Sequence, residues 1–223
     1  MTSARFCRFE KPLPYPEAVS LQKRLVEERI ADRIEDTILL LQHPPVITLG
    51  RRGRSNHVVA DSRRLQQKGI QIHTSQRGGD VTYHGPGQWV LYPMLKLGKS
   101  GMGTHGYLHC LEEIAIQTAA AVGIKAARRE GMAGGWTDMG KFAATGFACK
   151  KWVSWHGLSI NVQPDLSHFD LIVGCGLVGE HVTSFQEILG DACPDMDQVA
   201  QHIMRACQNI LERDMTVVSQ TEL

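Results

Sequence analysis

The chain has no apolar run approaching the ~18 residues of a membrane span, and no hydrophobic stretch near its start of the kind a secretory signal needs. Arg5, Arg8 and Ser3 are followed at once by Glu10 and Pro12, which is too little for an organelle-targeting segment. It reads as a soluble, cytoplasmic protein. An excess of either charge is also missing. Lys+Arg 24 against Asp+Glu 23 leaves +1, so bulk electrostatics point to neither nucleic acid nor a membrane, and an acidic partner would have to be met by a local patch. Arg51, Arg52 and Arg54 form the densest basic cluster and Arg128 with Arg129 a second; each is a solvated loop or a landing site for an acidic partner.

Paired cysteines are absent too. The six, at 7, 110, 149, 175, 193 and 207, contain no C-x-x-C and no zinc-ribbon spacing, so in a reducing compartment they are free thiols. No G-x-G-x-x-G opens a helix after a strand. Gly98-Lys99-Ser100 matches the end of a phosphate loop, but Pro93 stands where that motif needs its leading glycine. His105 and His109 are spaced i, i+4 without the Glu of H-E-x-x-H or a third ligand, so they read as surface histidines with no metal. No bound cofactor is expected. Repeats and low-complexity linkers are missing as well, and 223 residues with 43% apolar content predict one domain, 1–223.

What is present is a succession of short periodic segments. Pro16, Ala18, Leu21, Leu25, Val26, Ile30 and Ile34 mark a helix with proline near its first turn. Strands are predicted at 37–42 and 46–49 around His43-Pro44-Pro45, at 70–74 after a short helix 62–68, and at 88–92. Thr104 caps a helix that ends at Gly123; strands follow near 135–136, at 141–148, 151–155 and 157–162. Ser184 with Glu187 makes a capping box for a short helix, and Val199, Ile203, Ala206 and Ile210 define a last one. Hairpin-grouped strands with helices at start, middle and end argue for an α+β fold with a mixed, largely antiparallel sheet flanked by helices.

The most informative stretch is Arg77 to Gln88, in which four glycines and a proline interleave with polar side chains. Glycine lets backbone approach a ligand closely, so this is a binding loop in which Arg77 can meet an anion and His84 a polar head group. Cys175, flanked by Gly174 and Gly176, has the access and neighbouring amides a nucleophile needs; it is otherwise a small buried hydrophobe. Such a thiol needs a positive neighbour or a base. Lys141, alone among Gly140, Phe142, Ala143 and Ala144, is either a strand-start charge reaching solvent or a functional ammonium, with His84, His156 and His168 as rival activators.

These segments together resemble the lipoyl(octanoyl) transferase family over nearly the whole chain. The similarity is carried by His43-Pro-Pro-Val-Ile-Thr-Leu-Gly-Arg51, by Arg77 to Gln88 with Leu91-Tyr-Pro, and by Gly140-Lys-Phe-Ala-Ala-Thr-Gly. His156-Gly-Leu-Ser-Ile-Asn-Val and Phe169-Asp-Leu-Ile-Val-Gly-Cys-Gly complete it. The resemblance implies a lipoyl and biotin protein ligase-like fold around an acyl tunnel, with Cys175 as acyl-thioester nucleophile and Lys141 lowering its pKa. It implies a substrate site made by Arg77, Gly78, Gly79, Asp80, Val81, Thr82, Tyr83 and His84, by Ala144, Thr145 and Gly146, and by Gly157, Leu158 and Ser159. The implied donor is octanoyl-acyl carrier protein; the implied acceptors are lipoyl domains of 2-oxoacid dehydrogenase E2 subunits and the glycine cleavage H protein. Phe142 and Thr145 stand where the family has aliphatics, and Gly174 where it often has proline. An ATP-dependent ligase or a non-catalytic carrier-binding module on the same fold are the alternatives.

Overall fold

A computed structural model describes residues 2–100, 103–173 and 180–223. Eleven strands form two sheets among the described residues. The larger has the order β11 (Arg213–Val217), β1 (Thr2–Arg8), β2 (Asp36–Leu41), β6 (Gln88–Met94), β10 (Val153–Asn161), β9 (Gly140–Lys150), β8 (Met132–Thr137), β7 (Ala127–Arg129). Only β11-β1 and β1-β2 pair in parallel. The smaller sheet has the order β4 (Gln71–Thr74), β3 (Val46–Leu49), β5 (Val81–His84), parallel on the first side and antiparallel on the second. The α+β mixed architecture is therefore as the sequence implied.

Helix α1 (Tyr15–Ile30) carries proline in its first turn and packs Ala18, Leu25 and Val26 on one face of the large sheet with Leu39, Leu41, Val90 and Tyr92. Helices α3 (Thr104–Ala121) and α5 (Met196–Leu211) cover the other face, where Leu111, Ile114, Ile203 and Cys207 meet Ile38, Leu40, Leu91, Leu158 and Ile160. Strands β2, β6 and β10 are buried along their whole length because helices or the small sheet cover both faces. Fully burying one such leucine contributes about 1.5–3 kcal/mol, so Leu40→Ala costs about 2–5 kcal/mol once its cavity is included. The six-residue α2 (Ser62–Gln67), capped by Asp61, lays Leu65 on the small sheet.

Several sequence expectations need correction. The Val81 to His84 half of the glycine-rich loop is strand β5, since Val-Thr-Tyr-His has a strand's composition and pairs with β3. The strands expected at 151–155 and 157–162 are one, β10, running through His156 at φ 56°. Gly103, not Thr104, is the N-cap of α3, and Thr104 is its first helical residue. Ser184 does cap α4 (Phe185–Leu189) by accepting from the Glu187 amide. Strands β1, β7 and β11 were not expected at all.

Candidate active site

Between the α1-side face of the large sheet and the small sheet lies a cavity of about 210 Å³. Its floor comes from Val90 and Tyr92 on β6, Gly157, Leu158, Ser159 and Asn161 on β10, and Ala144, Thr145 and Gly146 on β9; Gly79, Asp80, Val81, Thr82 and His84 supply the opposite wall. Arg77, Lys141, His156, Ile172 and Val182 line it too. Of the residues that the resemblance named, Gly78 and Tyr83 alone among the described ones are off the wall. The Gly78 amide instead donates to Phe147 O (2.8 Å), fastening the loop to β9. Tyr83 points the other way, with its hydroxyl 2.8 Å from His168 Nδ1 and its ring edge-on to Phe169.

Glycine at two of these positions is a matter of space. A Cβ on Gly157 would stand 2.5 Å from Leu91 O, and one on Gly146 would stand 2.9 Å from Gly78 O. Any side chain would push the sheet from its neighbours and fill the cavity floor. Arg77 is buried, and its guanidinium is held by Thr48: Nη2 donates to Thr48 O (2.7 Å) and Nε to Thr48 Oγ1 (3.1 Å). Nη1 donates to Gly78 O (3.0 Å), so the fork that the sequence offered to an anion is largely engaged in shaping the loop.

Lys141 reaches the cavity because of a bulge. Gly135 pairs with Ala143 but Trp136 with Lys141, so β9 carries one extra residue, Phe142. Phe142 and Ala143 consequently both enter the α3-side core, and the alternation resumes one residue out of step with Lys141 on the cavity side. Its ammonium lies 5.2 Å from the centroid of the Trp136 ring, which Arg129 also covers at 4.4 Å. Burial pushes the Lys141 pKa down to about 8, against an upward pull from Glu112. Glu112 is itself buried on α3, accepting from the Gly134 amide (3.0 Å) and pairing with Arg128 (3.2 Å).

A hydrogen-bonded row crosses the same end of the cavity. His84 Nδ1 donates to Gln88 Oε1 (2.6 Å), Gln88 Nε2 to Asn161 Oδ1 (2.8 Å) and Asn161 Nδ2 to Thr183 O (3.0 Å). The Thr183 amide donates to Lys141 O (3.0 Å), and the Lys141 amide to His181 O (2.9 Å). The row joins β5, β6, β10 and β9 through main and side chain, and each of the N–H groups named in it has an acceptor, whereas the buried Thr183 hydroxyl has none among the described residues. Sequence reading missed Gln88, Asn161 and Trp136 as site residues. Amides in strands of mostly apolar residues were the available sign.

Cys175 lies outside the described residues. Up to it, Ile172 is bridged to Val58 and the Val173 amide donates to His57 O (2.7 Å); beyond it, Val182 is bridged to Lys141. The described cysteines offer no ready thiolate. Burial raises the thiol of Cys7 to about 11 and also raises those of Cys110, Cys149, Cys193 and Cys207. His84 and His156 are held down to about 3 chiefly by burial, so both are neutral at physiological pH. His105 and His109 are exposed on α3, and no group of three or more metal-ligating side chains occurs among the described residues.

The two basic clusters differ. Arg128 pairs with Glu112 and Glu113 and Arg129 with Glu180, whereas exposed Arg51, Arg52 and Arg54 have no carboxylate partner among the described residues. Backbone bonds pin that turn to the loop, Arg51 N to Arg77 O and Arg52 N to Gly79 O, both 3.0 Å.

A family model described as the lipoyl protein ligase A/B catalytic domain matches residues 14–208. An octanoyltransferase of Syntrophotalea carbinolica is 43% identical over 90% of this chain and 91% of its own. One of Caldicellulosiruptor saccharolyticus is 40% identical, over 94% and 89%. Among solved structures, a lipoate-protein ligase A bound with ATP superposes with a TM-score of 0.76 at 14% identity, covering 99% of this chain and 90% of that one; at that identity the likeness is one of fold.

Proposed function

We infer that this chain, which belongs to the lipoyl protein ligase A/B catalytic domain family and is an octanoyltransferase of protein lipoylation, works through an acyl-enzyme on Cys175. The Cys175 thiolate attacks the thioester carbonyl of octanoyl-acyl carrier protein, a new C–S bond forms as the C–S bond to the carrier breaks, and the carrier leaves as its thiol with a proton from the Lys141 ammonium. The lysine amine of a lipoyl domain then attacks, the C–S bond to Cys175 breaks, and an amide forms. The acceptors are lipoyl domains of 2-oxoacid dehydrogenase E2 subunits and the glycine cleavage H protein. Exchange between thioesters is nearly balanced and amide formation runs downhill, so no nucleotide has to drive it.

One observation supports this reading most. A bulge turns Lys141, an ammonium with its pKa near 8, into a cavity whose floor includes Ala144, Gly146 and Gly157. Such a group serves both half-reactions: protonated, it holds Cys175 as thiolate; deprotonated, it takes the proton of the incoming amine. The flanks of Cys175, Ile172 and Val182, line that cavity, and Val182 is bridged to Lys141 itself.

The test is intact mass after incubation with octanoyl-carrier alone. The expected result is one octanoyl adduct, mapped to Cys175, with none on Cys175→Ala. An adduct on another cysteine, or transfer that requires ATP, overturns the reading; the second result points to a ligase.

A further inference from the structure

The cavity's far end holds a side chain that no part of that reaction uses. His156 is 2% exposed, and neither of its ring nitrogens has a hydrogen-bond partner among the described residues. Strict alternation along β10 would bury it with Leu158 and Ile160 against α3. Its left-handed φ of 56° instead turns it to the cavity, stacked on Trp155 with ring centroids 4.2 Å apart and edge-on to Tyr92 at 6.0 Å. A non-glycine residue held at such a φ inside a strand is strained, and strain of this kind is kept where a side chain's direction matters. Burial, with Arg77 and His43 adding to it, keeps the imidazole neutral, so it offers one N–H donor and one acceptor nitrogen.

Register gives its distance from the chemistry. His156 pairs with Phe147, six residues along β9 from Lys141, which is roughly 18 Å at about 3.3 Å per residue with the bulge allowed for. A lysine side chain and an extended eight-carbon chain end to end, with bonds of about 1.5 Å shortened by their zigzag, cover about 15 Å of that span. Resting on the acyl-transfer reading, His156 therefore stands where the last carbons of the acyl chain lie. A plain methyl terminus leaves both its nitrogens unsatisfied, whereas a polar terminus can meet them.

We propose that His156 forms a polar subsite for the tail of the acyl chain, so that the enzyme accepts medium-chain acyl groups carrying a hydrogen-bonding substituent, such as a hydroxyl, on the terminal carbon. The transfer is unaltered: the same C–S bond breaks and the same amide forms, and the substituent is only bound.

Two measurements test this on the whole protein. Calorimetry compares the free acids octanoate and 8-hydroxyoctanoate, and steady-state transfer compares their carrier thioesters. Wild type is expected to bind and transfer the hydroxylated chain as well as or better than the plain one. In His156→Leu the ratio of hydroxylated to plain should fall at least tenfold both in affinity (1/Kd) and in kcat/KM. His156→Asn, whose side chain tolerates the left-handed backbone and keeps a polar head, should retain part of the ratio. A ratio within threefold of wild type in His156→Leu, or wild-type rejection of the hydroxylated acid by a hundredfold or more, overturns the proposal; both results mean that a bound water satisfies the imidazole. Loss of octanoyl transfer in wild type with the binding preference intact would instead strike the acyl-enzyme reading alone.

Discussion

The two ends of the cavity are built on opposite principles. At the Lys141 end the polar groups are joined: His84, Gln88, Asn161, Thr183 and the Lys141 backbone form one hydrogen-bonded row across four strands. At the His156 end a buried imidazole has no hydrogen-bond partner among the described residues. A satisfied network fixes geometry and gains nothing from a ligand, whereas an unsatisfied buried group gains from any ligand that meets it. On the proposed reading the first end positions chemistry and the second selects what is bound. Each can be broken separately.

The largest effect belongs to the Lys141 side chain. Lys141→Ala should lower transfer by about 10²–10⁴-fold, as expected when a general base is lost, and should also slow alkylation of Cys175 near neutral pH. Lys141→Arg keeps the charge but cannot give up a proton, so it should retain acylation better than release to the acceptor. With a pKa near 8, the ammonium predominates below that pH and the free amine above it. Single-turnover rates of the second half-reaction should then rise toward pH 8 and level off, and Lys141→Arg should flatten that rise. Both half-reactions of Lys141→Ala at wild-type speed would remove Lys141 from the mechanism.

Next in size is acid instability, which comes from the buried histidines His43, His84 and His156. Burial holds His43 down to about 4 and His84 and His156 to about 3, against the ordinary 6.5. The unfolded chain thus binds more protons below pH 6.5. Stability is fully present above that pH and is lost as pH falls toward 4, by up to about 1.4 kcal/mol per histidine per pH unit. Unfolding free energies from urea titrations at pH 7 and pH 5 should differ by several kcal/mol in total, and His156→Leu should make the difference smaller. An unchanged pH dependence in that variant would mean that His156 is not buried neutral.

How far the sequence disclosed this depended on whether a feature was local. Helices α1, α3 and α5 were legible from periodicity, and β3 to the residue, because their apolar spacing and proline punctuation are written in adjacent positions. Strands β1 and β11 were not. Thr2–Arg8 and Arg213–Val217 carry charges within short runs, and only their parallel pairing to each other and to β2 makes them strands. The resemblance pointed to Lys141 and most of the cavity floor. The bulge that aims Lys141 rests on a pairing shift between β8 and β9, and the missing partners of His156 depend on what surrounds it in space; neither is written along the chain. The glycines on both sides of Cys175 were, and they remain the local sign of the nucleophile proposed there.

The smallest effect sharpens the contrast most directly, because it asks where hydrogen bonds contribute to stability. Asn161→Leu removes the centre of the joined row, leaving a Gln88 donor and the Thr183 carbonyl inside the protein without their partner. Stranding buried polar groups costs about 1–3 kcal/mol, which in a chain of this size lowers Tm by roughly 2–4 °C per kcal/mol. His156→Leu loses no side-chain hydrogen bond to the described residues and removes two unsatisfied nitrogens; against this it gives up ring contacts with Trp155 and Tyr92. Its net change at pH 7 should lie within about 1 kcal/mol of zero, since stacking of that kind contributes about 0.5–1.5 kcal/mol. Calorimetric Tm values of the two variants, measured without ligand, should therefore separate by several degrees with Asn161→Leu the lower. Adding 8-hydroxyoctanoate should widen the gap between wild type and His156→Leu, because only wild type presents the imidazole to the hydroxyl. Equal Tm losses in the two apo variants would show that the ends are not built differently, and that His156 is as much a structural residue as Asn161.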